Sequence, residues 1–333
     1  MSGLEDGQAA LAALAAGGKA ALARALARIE TRPDAPETAA LLDAAWGAPR
    51  GQALGLTGPP GVGKSTLTDA LIRAFRARGL RVAVIAVDPS SRRSGGALLG
   101  DRTRLTTDPE DGDVFVRSMA ARDRLGGLAD AAWPALVLMR ALYDVVIVET
   151  VGVGQSETEI EDVADTVVFC AQPGAGDALQ FMKAGVVEIP HLALVTKADM
   201  GASARRAVAD LKGALSLAAP GAEAVPVLSC SAATGEGMGD LVEALLARGA
   251  ALAQDGLQDG GKGCAQGGGL SARRVAQARA WLRRSVTAAY GAEGFARLAP
   301  FLAEMNGARA PFRVAAAAKA RAGRALDVGF TPQ

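Results

Sequence analysis

An α/β fold, with a mainly parallel sheet covered by helices on both faces, is predicted by three features of this sequence. Short apolar runs at 53–57, 82–87, 145–148, 167–171, 192–195 and 225–229 alternate with stretches of helical period, the pattern of parallel strands joined by crossover helices. The stretch Gly58-Pro-Pro-Gly-Val-Gly-Lys-Ser-Thr66 lies between one such run and an amphipathic stripe, the strand, loop and helix context of a phosphate-binding loop. Half of the 333 residues are apolar, enough for a sizeable core.

In chain order, residues 1–49 read as an N-terminal helical extension. Leu11, Leu14, Leu22, Leu26 and Ile29 share a helical repeat, Arg32-Pro33 breaks it, and a second helix covers Glu37 to Trp46. A 50–250 domain follows. Its first strand, Ala53 to Thr57, leads through the loop into a helix whose Leu67, Ala70, Leu71, Ala74 and Phe75 share one face, ending before Gly79. Val114-Phe-Val116 adds an edge or parallel strand. Asp255 to Gly269 holds seven glycines without apolar periodicity, so 251–269 reads as a flexible linker. Residues 270–333 read as a C-terminal helical arm, its first stripe marked by Val275, Leu282, Val286 and Ala289.

Charge and cysteine content narrow the function classes. Formal net charge is +1, which argues against a global electrostatic role on nucleic acid or membrane. The arm alone carries eleven Arg or Lys against three acids. Its Trp281, Tyr290, Phe295 and Phe301 are scattered among Ala and Leu, as on a solvated or subunit-contacting face. Cys170, Cys230 and Cys264 form neither a disulfide framework nor a Cys-x-x-Cys metal clip, which indicates a reducing compartment. The N-terminus has no basic segment followed by an apolar core, and no apolar run approaches about 18 residues. The expectation is a soluble cytoplasmic protein.

Gly58 to Thr66 is a complete Gly-x4-Gly-Lys-Ser loop, which makes the expected fold that of a P-loop NTPase. Gly58, Gly61 and Gly63 let the loop amides, Val62 among them, approach phosphate oxygens closely. Lys64 reaches the β- and γ-phosphates, Ser65 ligates Mg2+, and Thr66 lies at the start of a helix whose positive end faces the anion. Two further apolar runs end in acids, Asp88 and Glu149, and Thr150-Val-Gly152 completes a Glu-x-x-Gly element. In open α/β sheets the carboxyl edge is the ligand edge. Ser65 with one or two of Asp88, Asp101 and Glu149 suffices for Mg2+, and Gly152 offers its amide to the γ-phosphate. Taken singly, each acid fits a capping or surface role; position after an apolar run singles out Glu149 and Asp88.

Leu192 to Val195 leads into Thr196-Lys-Ala-Asp199, and Val227-Leu-Ser-Cys-Ser-Ala232 follows one helix later. A carboxylate at Asp199 accepts from the guanine ring N–H and exocyclic amine, two donors that adenine cannot present together. Lys197 packs its stem along the base, and the Ser231-Ala232 backbone closes the guanine edge. Such an element usually begins with Asn. Thr196 keeps a hydroxyl and lacks the amide, which touches affinity rather than the preference carried by Asp199.

With these residues in place the chain resembles the MeaB/ArgK family of P-loop GTPases, bacterial relatives of the methylmalonic aciduria type A protein. The stretches that carry the resemblance are Gly58 to Thr66, Ala86-Val-Asp-Pro-Ser-Ser91 with Leu99-Gly-Asp-Arg-Thr103, Glu149-Thr-Val-Gly-Val-Gly-Gln-Ser-Glu157, and Pro173-Gly-Ala-Gly-Asp177 through Lys183. The Glu149 to Glu157 block is far more specific than the phosphate loop. The resemblance implies a GTP-hydrolysing chaperone that binds an adenosylcobalamin-dependent acyl-CoA mutase, typically methylmalonyl-CoA mutase, gating cofactor loading and protecting the mutase. It also implies a homodimer through the C-terminal arm, and a switch at Pro173 to Lys183 in which Lys183 brings charge to the phosphates. The mutase partner rests on the resemblance alone, and the glycine-rich linker departs from the family pattern.

The expected reaction is water attack on the γ-phosphate, assisted by Mg2+, Lys64 and backbone amides. Val153 follows Gly152 where many GTPases place a water-orienting Gln, so slow intrinsic turnover is expected, with Gln155 close by. A nickel-inserting maturation GTPase is one alternative, but it should offer a His-rich tract or a Cys/His metal pair. The single histidine, His191, reads instead as a strand-end residue. An ATP-dependent kinase, a label carried by the family through arginine transport, conflicts with Thr196-Lys-Ala-Asp199. Trp46, Trp133 and Trp281 fall in helical patterns and read as packing residues.

Overall fold

The computed structural model describes residues 2–88, 105, 107–120, 131–150, 159–174, 189–218, 224–258, 270–304 and 310–327. They belong to two compact units: 1–50 with 130–142 and 271–333, and 51–129 with 143–270. The first unit holds helices α1 (Ser2–Ala16), α2 (Gly18–Thr31), α3 (Pro36–Gly47), α5 (Ala132–Leu142), α8 (Leu270–Glu304, kinked at the non-helical Gly291) and α9 (Pro311–Asp327); the second holds α4 (Lys64–Arg76), α6 (Ala202–Ala218) and α7 (Met238–Gln258) with the sheet.

The sheet comprises β1 (Gln52–Thr57), β2 (Val82–Asp88), β3 (Val114–Ala120), β4 (Val145–Glu149), β5 (Thr166–Ala171), β6 (Leu192–Val195) and β7 (Val227–Ser229). Their order is β3-β2-β4-β1-β5-β6-β7, and every pairing is parallel. The Val114 to Val116 run thus becomes an edge strand beside β2. Successive residues of a strand face opposite sides, and the core divides accordingly. Val168, Cys170, Leu192 and Leu194 pack with Leu67, Leu71 and Phe75 of α4 and Leu241, Val242 and Leu245 of α7. Phe169, Ala171, Ala193 and Val195 pack on the other face with Ala204, Leu211 and Leu215 of α6. Each large side chain buried this way contributes about 1.5–3 kcal/mol.

The helical unit has its own core. Trp133 stacks on Trp281 and Phe312 at centroid distances of 4.9 and 5.1 Å, and Trp46 lies 5.6 Å from Trp133, the packing role read from the sequence. Asp43 of α3 accepts hydrogen bonds from the Phe312 and Arg313 amides at 3.0 and 3.2 Å and from Arg313 Nε at 2.8 Å. A carboxylate from a distant helix therefore caps the positive end of α9. Burial pushes the Asp43 carboxyl above its ordinary range, and the Arg313 and backbone hydrogen bonds only partly oppose this.

Three boundaries differ from the sequence reading. The alanine-rich stretch before Arg32 breaks at Gly18, whose φ of 62° is left-handed, with Gly17 N bonded to Ala13 O at 3.0 Å. That is a glycine helix end. Helix α5, inside 50–250 by sequence, falls with the helical unit: it is buried along nearly its whole length, Arg140 included, and its Trp133 packs on Trp46 of α3. Helix α7 continues past 250 to Gln258, and 259–269 lie outside the described residues. No helix among the described residues is long and apolar enough to cross a membrane.

Candidate functional site

Parallel strands put all their carboxyl ends on one edge, and the candidate residues follow that edge. After β1, Gly58 adopts a φ of 135°, and a Cβ there would stand 2.2 Å from Cys170 O. Only glycine fits. Gly61 and Gly63 have φ of 75° and 96°, and Gly63 caps α4 in the left-handed conformation. Val62 is fully buried and anchors the loop. Lys64, itself buried, donates from Nζ to Gly58 O at 2.6 Å and Pro59 O at 3.0 Å. Thr66 is exposed in the first turn, and the amides of that turn open the positive end of α4 at the loop.

Below the loop, Ser65 Oγ donates to Glu149 Oε1 at 2.6 Å, and Thr68 Oγ1 donates to Glu149 Oε2 at 2.9 Å. Glu149 is only 6% exposed, and these hydroxyls give each of its carboxylate oxygens a donor in place of water. Thr68 was missed in the sequence. Its signal was present, because a residue three positions after Ser65 shares the same helix face. Hard oxygen donors of this kind suit Mg2+ rather than a softer metal. Asp88 closes β2 at the same edge; its side chain, and Asp101, Gly152 and Lys183, lie outside the described residues.

The second half of the site sits beyond β5 and β6. Thr196, 5% exposed, donates from Oγ1 to Val62 O at 2.8 Å and Ala171 O at 3.0 Å, while its amide donates to Ala171 O at 2.8 Å. The threonine that replaces Asn therefore ties this element to the phosphate loop. Lys197 has φ 56° and ψ 45°, the one non-glycine positive φ among the described residues. Its Nζ donates to Gly61 O at 3.3 Å and Gln172 Oε1 at 2.5 Å. Gln172 was also missed; a polar residue between the apolar end of β5 and Pro173-Gly174 was its only signal.

Ala198 N donates to Cys230 O at 3.1 Å, and Asp199 is exposed in the 3-10 turn that follows. Ser231 closes its own loop: its amide donates to Glu236 O at 2.8 Å and its Oγ accepts from Thr234 N at 3.2 Å, with Ala232 half-buried beside it. The neighbouring thiols are not nucleophiles. Burial pushes Cys170 up to about 12 and Cys230 up to about 11. His191 Nδ1 accepts from Val167 N at 3.0 Å, a strand-end role.

The family model described as methylmalonyl Co-A mutase-associated GTPase MeaB matches residues 22–287. The chain belongs to the MeaB family. The match begins in α2, ends in α8 and takes in every site residue named above. Two similar proteins carry GTPase in their names. One, from Pyrococcus abyssi, is 54% identical over 147 residues, 44% of this chain and 45% of that one, so less than half of that relative is spanned. The other, from Caulobacter vibrioides, is 41% identical over 232 residues, 68% of this chain and 71% of that one. The solved structure of an LAO/AO transport system kinase has a TM-score of 0.62 at 27% identity, covering 96% of both chains.

Proposed function

We propose that this MeaB-family protein binds and hydrolyses Mg-GTP, and uses that cycle to assist and protect an adenosylcobalamin-dependent acyl-CoA mutase, gating cofactor loading. One arrangement carries the reading: a single glycine loop has a hydroxyl–carboxylate pair, Ser65 and Glu149, below it and the Thr196-Lys197 element hydrogen-bonded to its carbonyls. The first suits a metal and phosphates, the second a base.

In this mechanism the amides of Gly61 to Thr66 take the phosphate oxygens, and Lys64 exchanges the Gly58 and Pro59 carbonyls for them. Ser65 would hold Mg2+, with Glu149, Asp88 and Asp101 as further oxygen donors, and bound there it would supply positive charge against the phosphates. Asp199 reads the guanine edge, Lys197 lies along the base, and Ser231 and Ala232 close the pocket. Water attacks the γ-phosphorus, the bond to the β-bridging oxygen breaks, and GDP and phosphate leave. Gly152 meets the γ-phosphate through its amide and Lys183 adds positive charge. Val153, in place of a water-orienting Gln, keeps turnover slow until a partner completes the site.

The mutase partner is supported by the family description; a homodimer through residues 270–333 and a cytoplasmic location complete the proposal. To test it, the full chain is presented to a cobalamin-dependent mutase in nucleotide-free, GDP and GTP-analogue states, with GTP hydrolysis followed in parallel. Retention of the mutase in at least one state, with faster hydrolysis in its presence, is expected. Hydrolysis without retention in any state removes the chaperone role, and no hydrolysis of Mg-GTP under any condition removes the enzyme.

A further inference from the structure

Lys197 is held in a conformation that its own backbone does not favour. Its φ of 56° and ψ of 45° lie in the left-handed region that a Cβ disfavours, and its stem is long and flexible. Two acceptors fix the far end of that stem, Gly61 O at 3.3 Å and Gln172 Oε1 at 2.5 Å. An ammonium only donates, so the Gln172 amide must turn its oxygen toward it. Gln172 directly follows Ala171, whose carbonyl accepts both the amide and the hydroxyl of Thr196. The end of β5 therefore supports the Thr196-Lys197 element at two points, one backbone and one side chain.

We propose that Gln172 is a positioning residue for the base end of the site: by holding Lys197 Nζ it lays the lysine stem along the plane of a purine base, while the lysine's own bond to Gly61 O ties it to the phosphate loop. Gln172 touches no nucleotide atom in this assignment. Leucine at 172 leaves the ammonium with the longer Gly61 bond and with water, which reaches it because Lys197 is exposed. The loss is one of preorganisation rather than of a buried charge.

The inference rests on the Mg-GTP reading, and its test keeps the two apart. A fluorescent GDP analogue is titrated into the full-length wild type, Gln172→Leu, Gln172→Glu, Lys197→Ala and the Gln172→Leu/Lys197→Ala double variant, with inorganic pyrophosphate as the base-free probe. Gln172→Leu should raise the Kd for GDP about three- to tenfold, mostly through faster dissociation, while Gln172→Glu, which keeps an acceptor, stays within about twofold of wild type. Pyrophosphate affinity should not change, and Gln172→Leu should add nothing once Lys197 is Ala. Unchanged GDP affinity, an equal loss for pyrophosphate, or an undiminished effect in the Lys197→Ala background overturns the assignment and leaves the GTP reading standing. A wild type that does not bind GDP overturns both.

Discussion

Replacing Thr196 with Val keeps the side-chain shape and removes one hydroxyl. That hydroxyl has a single hydrogen shared between Val62 O at 2.8 Å and Ala171 O at 3.0 Å, at a residue 5% exposed. Ala171 O retains the Thr196 amide at 2.8 Å, so it keeps a partner in the variant. Losing a buried hydrogen bond costs about 1–3 kcal/mol when the acceptor is left bare, and the retained amide puts this case near about 1–2 kcal/mol. If the loss falls on the binding-competent loop, GDP affinity drops about 5- to 30-fold. Titration with a fluorescent GDP analogue and urea unfolding, run on the same preparations, show how the loss divides between binding and stability. A change below about 0.5 kcal/mol in both would refute the claim that Thr196 ties the base element to the phosphate loop.

The Ser65–Glu149 pair, the helical unit and the thiols give three further tests. Glu149→Gln preserves size and removes charge, so the Mg2+ concentration for half-maximal hydrolysis should rise about tenfold or more and kcat should fall, as read by phosphate release; an unchanged Mg2+ dependence contradicts the assignment. The raised Asp43 pKa means that the folded state holds its proton to higher pH than the unfolded state, so its contribution is present below the ordinary aspartate value of 3.8 and is lost as pH rises through the folded value. Relative to Asp43→Asn, which does not titrate, the wild type should therefore lose stability with rising pH across that window, followed by tryptophan fluorescence because Trp46, Trp133 and Trp281 all belong to the helical unit; a relative gain contradicts it. With Cys170 at about 12 and Cys230 at about 11, neither should react with iodoacetamide at neutral pH before unfolding, and peptide mapping that finds either modified in the native state contradicts the burial argument.

Six of the seven strands were legible because strands buried in a parallel sheet read as apolar runs, Val114 to Val116 pointed to the seventh, and the phosphate loop and Thr196-Lys-Ala-Asp199 are local in sequence; the order of the strands in the sheet was not legible. What was illegible depends on partners far along the chain. Thr68 finds its role only when Glu149, 81 residues on, arrives beneath it; Asp43 caps a helix start 269 residues away. The Thr196 departure from Asn was visible as a departure, but its bond to Val62 across 134 residues was not. Helix α5 shows the same limit: its apolar pattern suits any buried helix, and only tertiary packing assigns it to the helical unit rather than to the sheet.

The central claim, a guanine-selective triphosphate site, is tested most directly by GTP and ATP affinities measured side by side for wild type and Asp199→Ala. Two charge-assisted hydrogen bonds donated by guanine to one carboxylate should favour GTP over ATP by about 100-fold or more. In Asp199→Ala that preference should collapse through weaker GTP binding, with ATP affinity little changed. A wild type that prefers ATP, or an Asp199→Ala variant that keeps the GTP preference, would contradict the account.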